Sequence, residues 1–275
     1  MLRFPDGAPV PRLGQGTWNM GDASGDRARE LAALRRGLDL GLTLIDTAEM
    51  YGSGRSESLV GEAIAGRRDE VYLVSKVLPS NANRTGTLEA CRGSLKRLKT
   101  EALDLYLLHW RGAVPLGETV DAMRTLVRAG DIRAWGVSNF DCDDMEELLA
   151  LTEPGEVVTN QVLYNLGRRG PELDLFPACA RAGVSVMAYS PIEQGRLLRH
   201  PALGRIAEAR GATPAQIALA FALERPEVWA IPKAGSAEHV EDNAAALGLE
   251  LTDEEREALD AAFPAPSAPT PLEMI

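Results

Sequence analysis

Eight short apolar runs, each followed by a stretch with helical spacing, constrain this chain more tightly than any other feature. The runs are Leu13–Trp18, Thr43–Ile45, Val71–Ser75, Leu103–Leu108, Ile132–Val137, Val157–Val162, Val184–Ala188 and Val228–Ile231. Most are short and rich in Val, Ile and Leu, as strands buried in a parallel sheet are. Between them, Arg27–Leu40, Glu57–Ala65, Thr87–Leu98, Glu118–Ala129, Asp141–Leu151, Pro171–Ala182, Leu203–Arg210 and Pro214–Leu223 have helical periodicity. Gly41, Gly66, Gly130 and Gly183 stand where helices stop, and Asp141 and Thr213-Pro214 where they start. Eight strand–helix units predict an α/β protein of the (β/α)8 TIM barrel type. Ala237–Ala246 supplies the eighth helix. Thr252-Asp253-Glu254-Glu255 opens an extra C-terminal helix to Phe263 with capping-box spacing.

The proline- and glycine-marked lead before Leu13 reads as an N-terminal hairpin. The tail Pro264–Ile275 holds four prolines and cannot be helical. It is left either disordered or folded back over the barrel. No Pro/Gly/Ser linker interrupts the chain, so residues 1–275 read as a single domain, an ordinary size for this barrel. The competing architecture is an open, doubly wound sheet. Its dinucleotide fingerprint is not matched, because Gly14-Gln15-Gly16 runs into Thr17-Trp18-Asn19 and no helix starts there.

The formal net charge is −11 and the isoelectric point is near 4.9. Both argue against nucleic acid or an anionic membrane as a partner, since each needs a basic surface. No run approaches the ~18 apolar residues of a membrane span, and the N-terminus has no signal-peptide core. Cys91, Cys142 and Cys179 are scattered and odd in number, and with His109, His200 and His239 they show no metal-ligand spacing. These points predict a cytoplasmic protein with reduced thiols, no metal, and a monomeric or weakly associating state.

In such a barrel the chemistry gathers where strands end. Asp46 follows the second run, with Tyr51 five residues on; Lys76 ends the third run and His109 the fourth. A carboxylate, a phenol, an amine and an imidazole at one mouth make an acid–base set. Taken singly, each has an ordinary reading: a packed tyrosine, a structural histidine, an ion pair between Lys76 and Asp46.

Taken with the motifs around them, the chain resembles the aldo-keto reductases over nearly its whole length. The resemblance rests on Gly14-Gln15-Gly16-Thr17-Trp18, Ile45-Asp46-Thr47-Ala48-Glu49-Met50-Tyr51, Ser75-Lys76, Leu107-Leu108-His109-Trp110, Gly136-Val137-Ser138-Asn139-Phe140, Asn160-Gln161, Ala188-Tyr189-Ser190-Pro191 and Ile231-Pro232-Lys233. Within that family it is similar to bacterial members that reduce methylglyoxal and other small reactive carbonyls. The run Ile231-Pro232-Lys233-Ala234-Gly235 leading to Asn243-Ala244-Ala245-Ala246-Leu247 suggests that subgroup.

The resemblance implies reduction of aldehydes and small α-oxoaldehydes by NADPH. Hydride must come from a cofactor, because no side chain supplies one. A phenol, with a pKa of about 10, is a weak acid unless a cation sits beside it. Tyr51 is therefore expected as general acid and Lys76 as the cation that lowers its pKa. Asp46 would hold Lys76, and His109 would bond the carbonyl oxygen.

For the cofactor, the resemblance implies Thr17, then Ser138, Asn139 and Gln161 on the nicotinamide carboxamide, and Tyr189 stacked on its ring. Ser190, Ile192 and the loop to Gly195 match the pyrophosphate contacts. Lys233 matches the cation near the 2′-phosphate, with Ser236 and His239 beside it, and Asp242 and Asn243 match the adenine pair. Ala234 replaces a frequent serine and His239 a frequent arginine, which weakens the phosphate site. Trp18, Met20, Met50 and Trp110 are expected to wall the substrate pocket. Arg111 reads as a solvated loop residue, and Gly52-Ser53-Gly54 as a turn without the lysine of a phosphate loop. Two other functions fit the same residues: a Schiff-base aldolase with Lys76 as nucleophile, and a nicotinamide-binding sensor with little turnover.

Overall fold

The computed structural model describes residues 2–4, 7–22 and 25–275. Among them, eight strands run parallel in chain order: β1 (Gln15–Gly16), β2 (Leu44–Asp46), β3 (Tyr72–Val77), β4 (Leu103–Leu108), β5 (Ile132–Ser138), β6 (Val157–Leu163), β7 (Ser185–Tyr189) and β8 (Val228–Ala230). Parallel bridges Leu13↔Ala230 and Gly16↔Lys233 close the ring. Across that seam Gly14 N donates to Ala230 O at 2.8 Å and Gly16 N to Pro232 O at 3.0 Å. A Cβ on Gly16 would lie 2.6 Å from Ile231 O, so the seam closes only with glycine there. The fold is the (β/α)8 barrel that the alternating pattern predicts.

Side chains alternate between two cores, as the two-residue period of a strand requires. Leu44, Tyr72, Val74, Leu105, Leu107, Met187, Trp229 and Ile231 form one cluster inside the barrel. Ile45, Leu73, Val77, Tyr106 and Leu108 join the other, with Leu34, Leu59, Leu95, Val120 and Leu126 of the surrounding helices. Asp46, Lys76 and His109 keep the inward phase of their runs, one step beyond the apolar layer. That parity turns three polar side chains toward the barrel interior.

The N-terminal hairpin forms: Phe4 N donates to Ala8 O at 2.8 Å and Val10 N to Leu2 O at 3.2 Å. Trp229 Nε1 donates to Val10 O at 3.2 Å, and Phe4 meets the Tyr72 ring edge-on at 5.7 Å. The hairpin thus plugs the barrel end opposite the polar layer. Residues 5 and 6 of its expected turn lie outside the described residues.

The helices are α1 (Arg27–Asp39), α2 (Arg55–Ala63), α3 (Arg84–Leu98), α4 (Leu116–Ala129), α5 (Cys142–Ala150), α6 (Leu175–Arg181), α7 (Pro201–Arg210), α8 (Pro214–Leu223), α9 (Ala237–Ala245) and α10 (Asp253–Ala262). Asp141, Thr213 and Thr252 cap α5, α8 and α10, the last two in full capping boxes. Helix α3 begins a turn earlier than its periodicity suggests, because the Asn83 side chain accepts from Gly86 N at 2.9 Å. The expected helix Pro171–Ala182 is split into a 3-10 turn, Gly170–Glu172, and α6. Glu172 explains the break. It accepts from Arg169 Nε (2.8 Å), Arg225 Nη2 (3.0 Å) and Tyr164 OH (2.9 Å), which pin it out of the helix.

No helix among the described residues is long and apolar enough to cross a membrane.

Candidate active site

Asp46, Tyr51 and His109 line a cleft of 540 Å³, and Lys76 lies buried against the first two. Lys76 is fully buried and its ammonium has three acceptors: Asp46 Oδ1 at 2.6 Å, Thr47 O at 2.9 Å and Tyr51 OH at 3.1 Å. Tyr51 comes from a tight turn after β2, in which Gly52 and Ser53 both take left-handed φ of 56°. Its ring faces His109 edge-on at 5.7 Å. Lys76 carries only N–H donors, so the phenol oxygen accepts from it and keeps its own O–H for another acceptor.

Burial and charge compete at each group. Burial raises the Tyr51 pKa, Lys76 pulls it back and Asp46 adds to the rise; the phenol ends above its ordinary value. Lys76 lowers the phenol as expected, but full burial outweighs one ammonium at 3.1 Å. Burial pulls Lys76 down, but Asp46 and then Tyr51 more than reverse this and hold it charged. Burial and the Lys76 charge press His109 down to about 2, so its imidazole is neutral. His109 Nδ1 is buried without a partner among the described residues, which leaves Nε2 as the nitrogen that serves the cleft. Lys76 has no lone pair to offer while it is protonated and donating to three oxygens, which argues against the aldolase alternative.

A second polar group lies beside the first. Ser138 Oγ donates to Gln161 O at 2.9 Å. Asn139, left-handed at φ 58°, donates to His109 O at 3.1 Å, and its Oδ1 accepts from Tyr189 OH at 3.0 Å. After β7 the loop winds through left-handed Ser190, Glu193 and Gln194. Three non-glycine residues in that region cost strain that the surroundings must offset. Asn165 Nδ2 does so by donating to Ser190 O (3.0 Å) and Glu193 Oε2 (2.7 Å), and Arg168 and Arg196 bind the same carboxylate.

Ser138, Asn139, Gln161, Tyr189, Ser190, Ile192, Lys233, His239, Asp242 and Asn243 all line the cleft, as do Trp18, Met50 and Trp110. Asp242 is held by Thr213 Oγ1 (2.9 Å) and Gln216 Nε2 (2.7 Å). Thr17 also lines it, though its hydroxyl is engaged by Asp46 O (2.9 Å) and Ser56 Oγ (2.8 Å).

Two expected residues lie elsewhere. Met20 is not a pocket wall but a fully buried part of the helix–barrel core. Asn19 and Gly21 on either side of it are left-handed, and this winding turns its side chain inward. Ser236 is buried and caps α9, accepting from His239 N, and does not reach the cleft lining.

The sequence reading missed Met274 and Ile275, which line the cleft from the proline-rich tail. The tail folds back over the barrel: Leu272 packs on the core, and Arg168 joins Glu273 of the tail to Glu193 of the β7 loop. Prolines show that this segment is not helical, and nothing in its composition says where it goes. Arg111 is tied outside the cleft to Glu147 at 3.2 Å and Asp144 at 4.0 Å.

Residues 12–263 match the sequence profile of the aldo/keto reductase family. The chain belongs to the aldo/keto reductase family. Carbonyl–alcohol oxidoreduction, the enzyme class that the motifs imply, follows from that membership. Among aldo/keto reductases, methylglyoxal reductase YeaE of Escherichia coli is 50% identical, with 100% of this chain and 99% of that protein covered. A crystal structure of an aldo/keto reductase from Klebsiella pneumoniae, in complex with NADP and acetate, superposes with a TM-score of 0.96. It is 50% identical and covers 100% of this chain and 99% of its own. The thermostable aldo-keto reductase Tm1743, solved with the inhibitor epalrestat, gives a TM-score of 0.87 at 41% identity over 95% of this chain and 100% of its own.

Proposed function

We propose that this protein is an NADPH-dependent reductase of aldehydes and small α-oxoaldehydes of the methylglyoxal type, with Tyr51 as general acid. The observation that carries the proposal is the Lys76 ammonium, held by a buried carboxylate and donating to a phenol whose own proton points elsewhere. The similarity to a protein named as a methylglyoxal reductase, and to one crystallised with NADP, supports the substrate and cofactor classes.

The residues fit the cofactor. Amide and hydroxyl groups of Ser138, Asn139 and Gln161 offer both donors and acceptors to a carboxamide. Tyr189 offers a ring face, Lys233 offers a cation at the other end, and His239 lines the cleft there too. Bound there, the reduced nicotinamide supplies hydride. This chain's residues do the rest. Tyr51 and the neutral His109 hydrogen-bond the carbonyl oxygen and fix the carbonyl. As negative charge builds on that oxygen, Tyr51 gives up its proton, and Lys76 stabilises the phenolate left behind. Asp46 keeps Lys76 charged and in place. Trp18, Met50, Trp110 and the tail residues Met274 and Ile275 limit access of water.

A carbonyl panel that includes methylglyoxal, followed by loss of reduced-nicotinamide absorbance, tests this reading. Turnover of aldehydes and α-oxoaldehydes is expected. Tight NADPH binding with no oxidation across the panel would instead support the sensor alternative.

Coenzyme choice gives a finer prediction. NADPH should exceed NADH in kcat/KM, because the Lys233 cation lines the cleft where the 2′-phosphate would lie. Lys233→Met should remove most of that preference while NADH turnover is nearly kept. Comparable kcat/KM for the two coenzymes in the wild type would remove Lys233 from this role.

A further inference from the structure

Gln161 reaches across the barrel interior. It pairs with Ser138 of β5 and Met187 of β7 in register, yet its Nε2 donates to Asp46 Oδ2 of β2 at 2.8 Å, and approaches Met187 Sδ at 3.0 Å. An ionised carboxylate only accepts, so the partner fixes the amide orientation: NH2 toward Asp46, carbonyl oxygen left to the cleft. The Asp46 carboxylate is thereby divided. Oδ1 takes the Lys76 ammonium at 2.6 Å and Oδ2 takes the amide. No other bond reaches Oδ2 among the described residues.

We infer that Gln161 is a positioning residue for proton transfer: by holding Asp46 Oδ2 it sets the plane of the carboxylate, and through it the place of the Lys76 ammonium against Tyr51. The inference rests on Tyr51 being the acid. Its physical basis is the scarcity of partners. Both Asp46 and Gln161 are 2% exposed, so water is not at hand to replace a lost bond. With Oδ2 released, the carboxylate has only Lys76 to satisfy both oxygens. Turning to share the ammonium draws Nζ toward Asp46 and away from the phenol. The charged or titratable groups facing this cluster are Lys76 from β3, His109 beyond β4, Tyr51 from the loop after β2 and Tyr189 from β7. None of the other three takes over the donation to Oδ2.

Gln161→Leu removes the donor at nearly constant size. Two readouts are expected to move. In cofactor-free protein at neutral pH, the ring Cζ NMR resonance of Tyr51, assigned by its loss in Tyr51→Phe, should shift as the lysine bond lengthens. At saturating coenzyme, kcat should fall on the order of tenfold, the effect of one hydrogen bond to a charged group. Gln161→Glu supplies the rescue. Once protonated it donates O–H to Asp46, so its rate should climb toward wild type on acidification while that of Gln161→Leu does not. Gln161→Met serves if the leucine variant does not fold. An unmoved Tyr51 resonance, with an effect confined to coenzyme KM, would overturn the inference and leave Gln161 as a cofactor contact alone. If the wild type reduces no carbonyl, the proposed reaction fails, and the resonance in cofactor-free protein still decides whether Gln161 positions the lysine.

Discussion

Tyr51→Phe is expected to lower kcat by at least ~10², with coenzyme affinity nearly unchanged, since one positioned acid contributes about that much. The substitution is clean. A phenylalanine ring can keep the edge-on contact with His109 and its place under the Lys76 ammonium, which lies 4.7 Å from the ring centre. Lys76 loses one acceptor of three and retains Asp46 Oδ1 and Thr47 O, so the cation stays held. The rival donor is His109. Burial and the Lys76 charge press its pKa far below neutrality, so at pH 7 the imidazole is almost wholly uncharged. An acid so seldom charged cannot sustain turnover unless substrate binding reverses its environment. Tyr51 has the opposite property. Its upward shift keeps the proton on through the neutral range, so reduction should be flat there and decline only as the phenol ionises at alkaline pH. Near wild-type kcat in Tyr51→Phe would transfer the acid role to His109.

The barrel was legible in the sequence because two periods never conflict: apolar runs at strand spacing, and helices that stop at Gly41, Gly66, Gly130 and Gly183. The inward trio was legible for the same reason, since parity along a strand decides which residues share a face. What escaped depended on distance through space or on backbone winding. Met20 sits in the same loop as Trp18, and only the left-handed Asn19 and Gly21 turn it away from the cleft. The break before α6 depends on Arg225, which is far along the chain from Glu172. The bond from Gln161 to Asp46 spans 115 positions and follows from ring closure, not from any local pattern. The net rise of the Tyr51 pKa was not legible, because a motif names the neighbouring charge and says nothing of the burial that opposes it.

Lys76→Met should cost both rate and stability, and the two losses have separable causes. The rate falls by at least ~10² because the phenolate formed on proton transfer has no counter-charge. The stability loss comes from Asp46. Its carboxylate, 2% exposed, would keep only the Gln161 amide, and breaking a buried pair from one side typically costs about 3–5 kcal/mol. The pH dependence of that loss has a definite sign. Burial already pushes Asp46 up, and Lys76 is the largest influence pulling it down, so the variant should hold a proton that the unfolded chain releases at ordinary carboxylate pH. A folded-state pKa raised above the unfolded value means stability that declines as pH rises from about 4. Denaturant unfolding of Lys76→Met should therefore show its smallest deficit at acid pH and a growing one toward neutrality. Adding Asp46→Asn removes the stranded charge, so the double variant should regain stability without regaining rate. If the double variant recovered turnover as well, the ammonium would matter only for packing, and its contact with Tyr51 would have no part in the reaction.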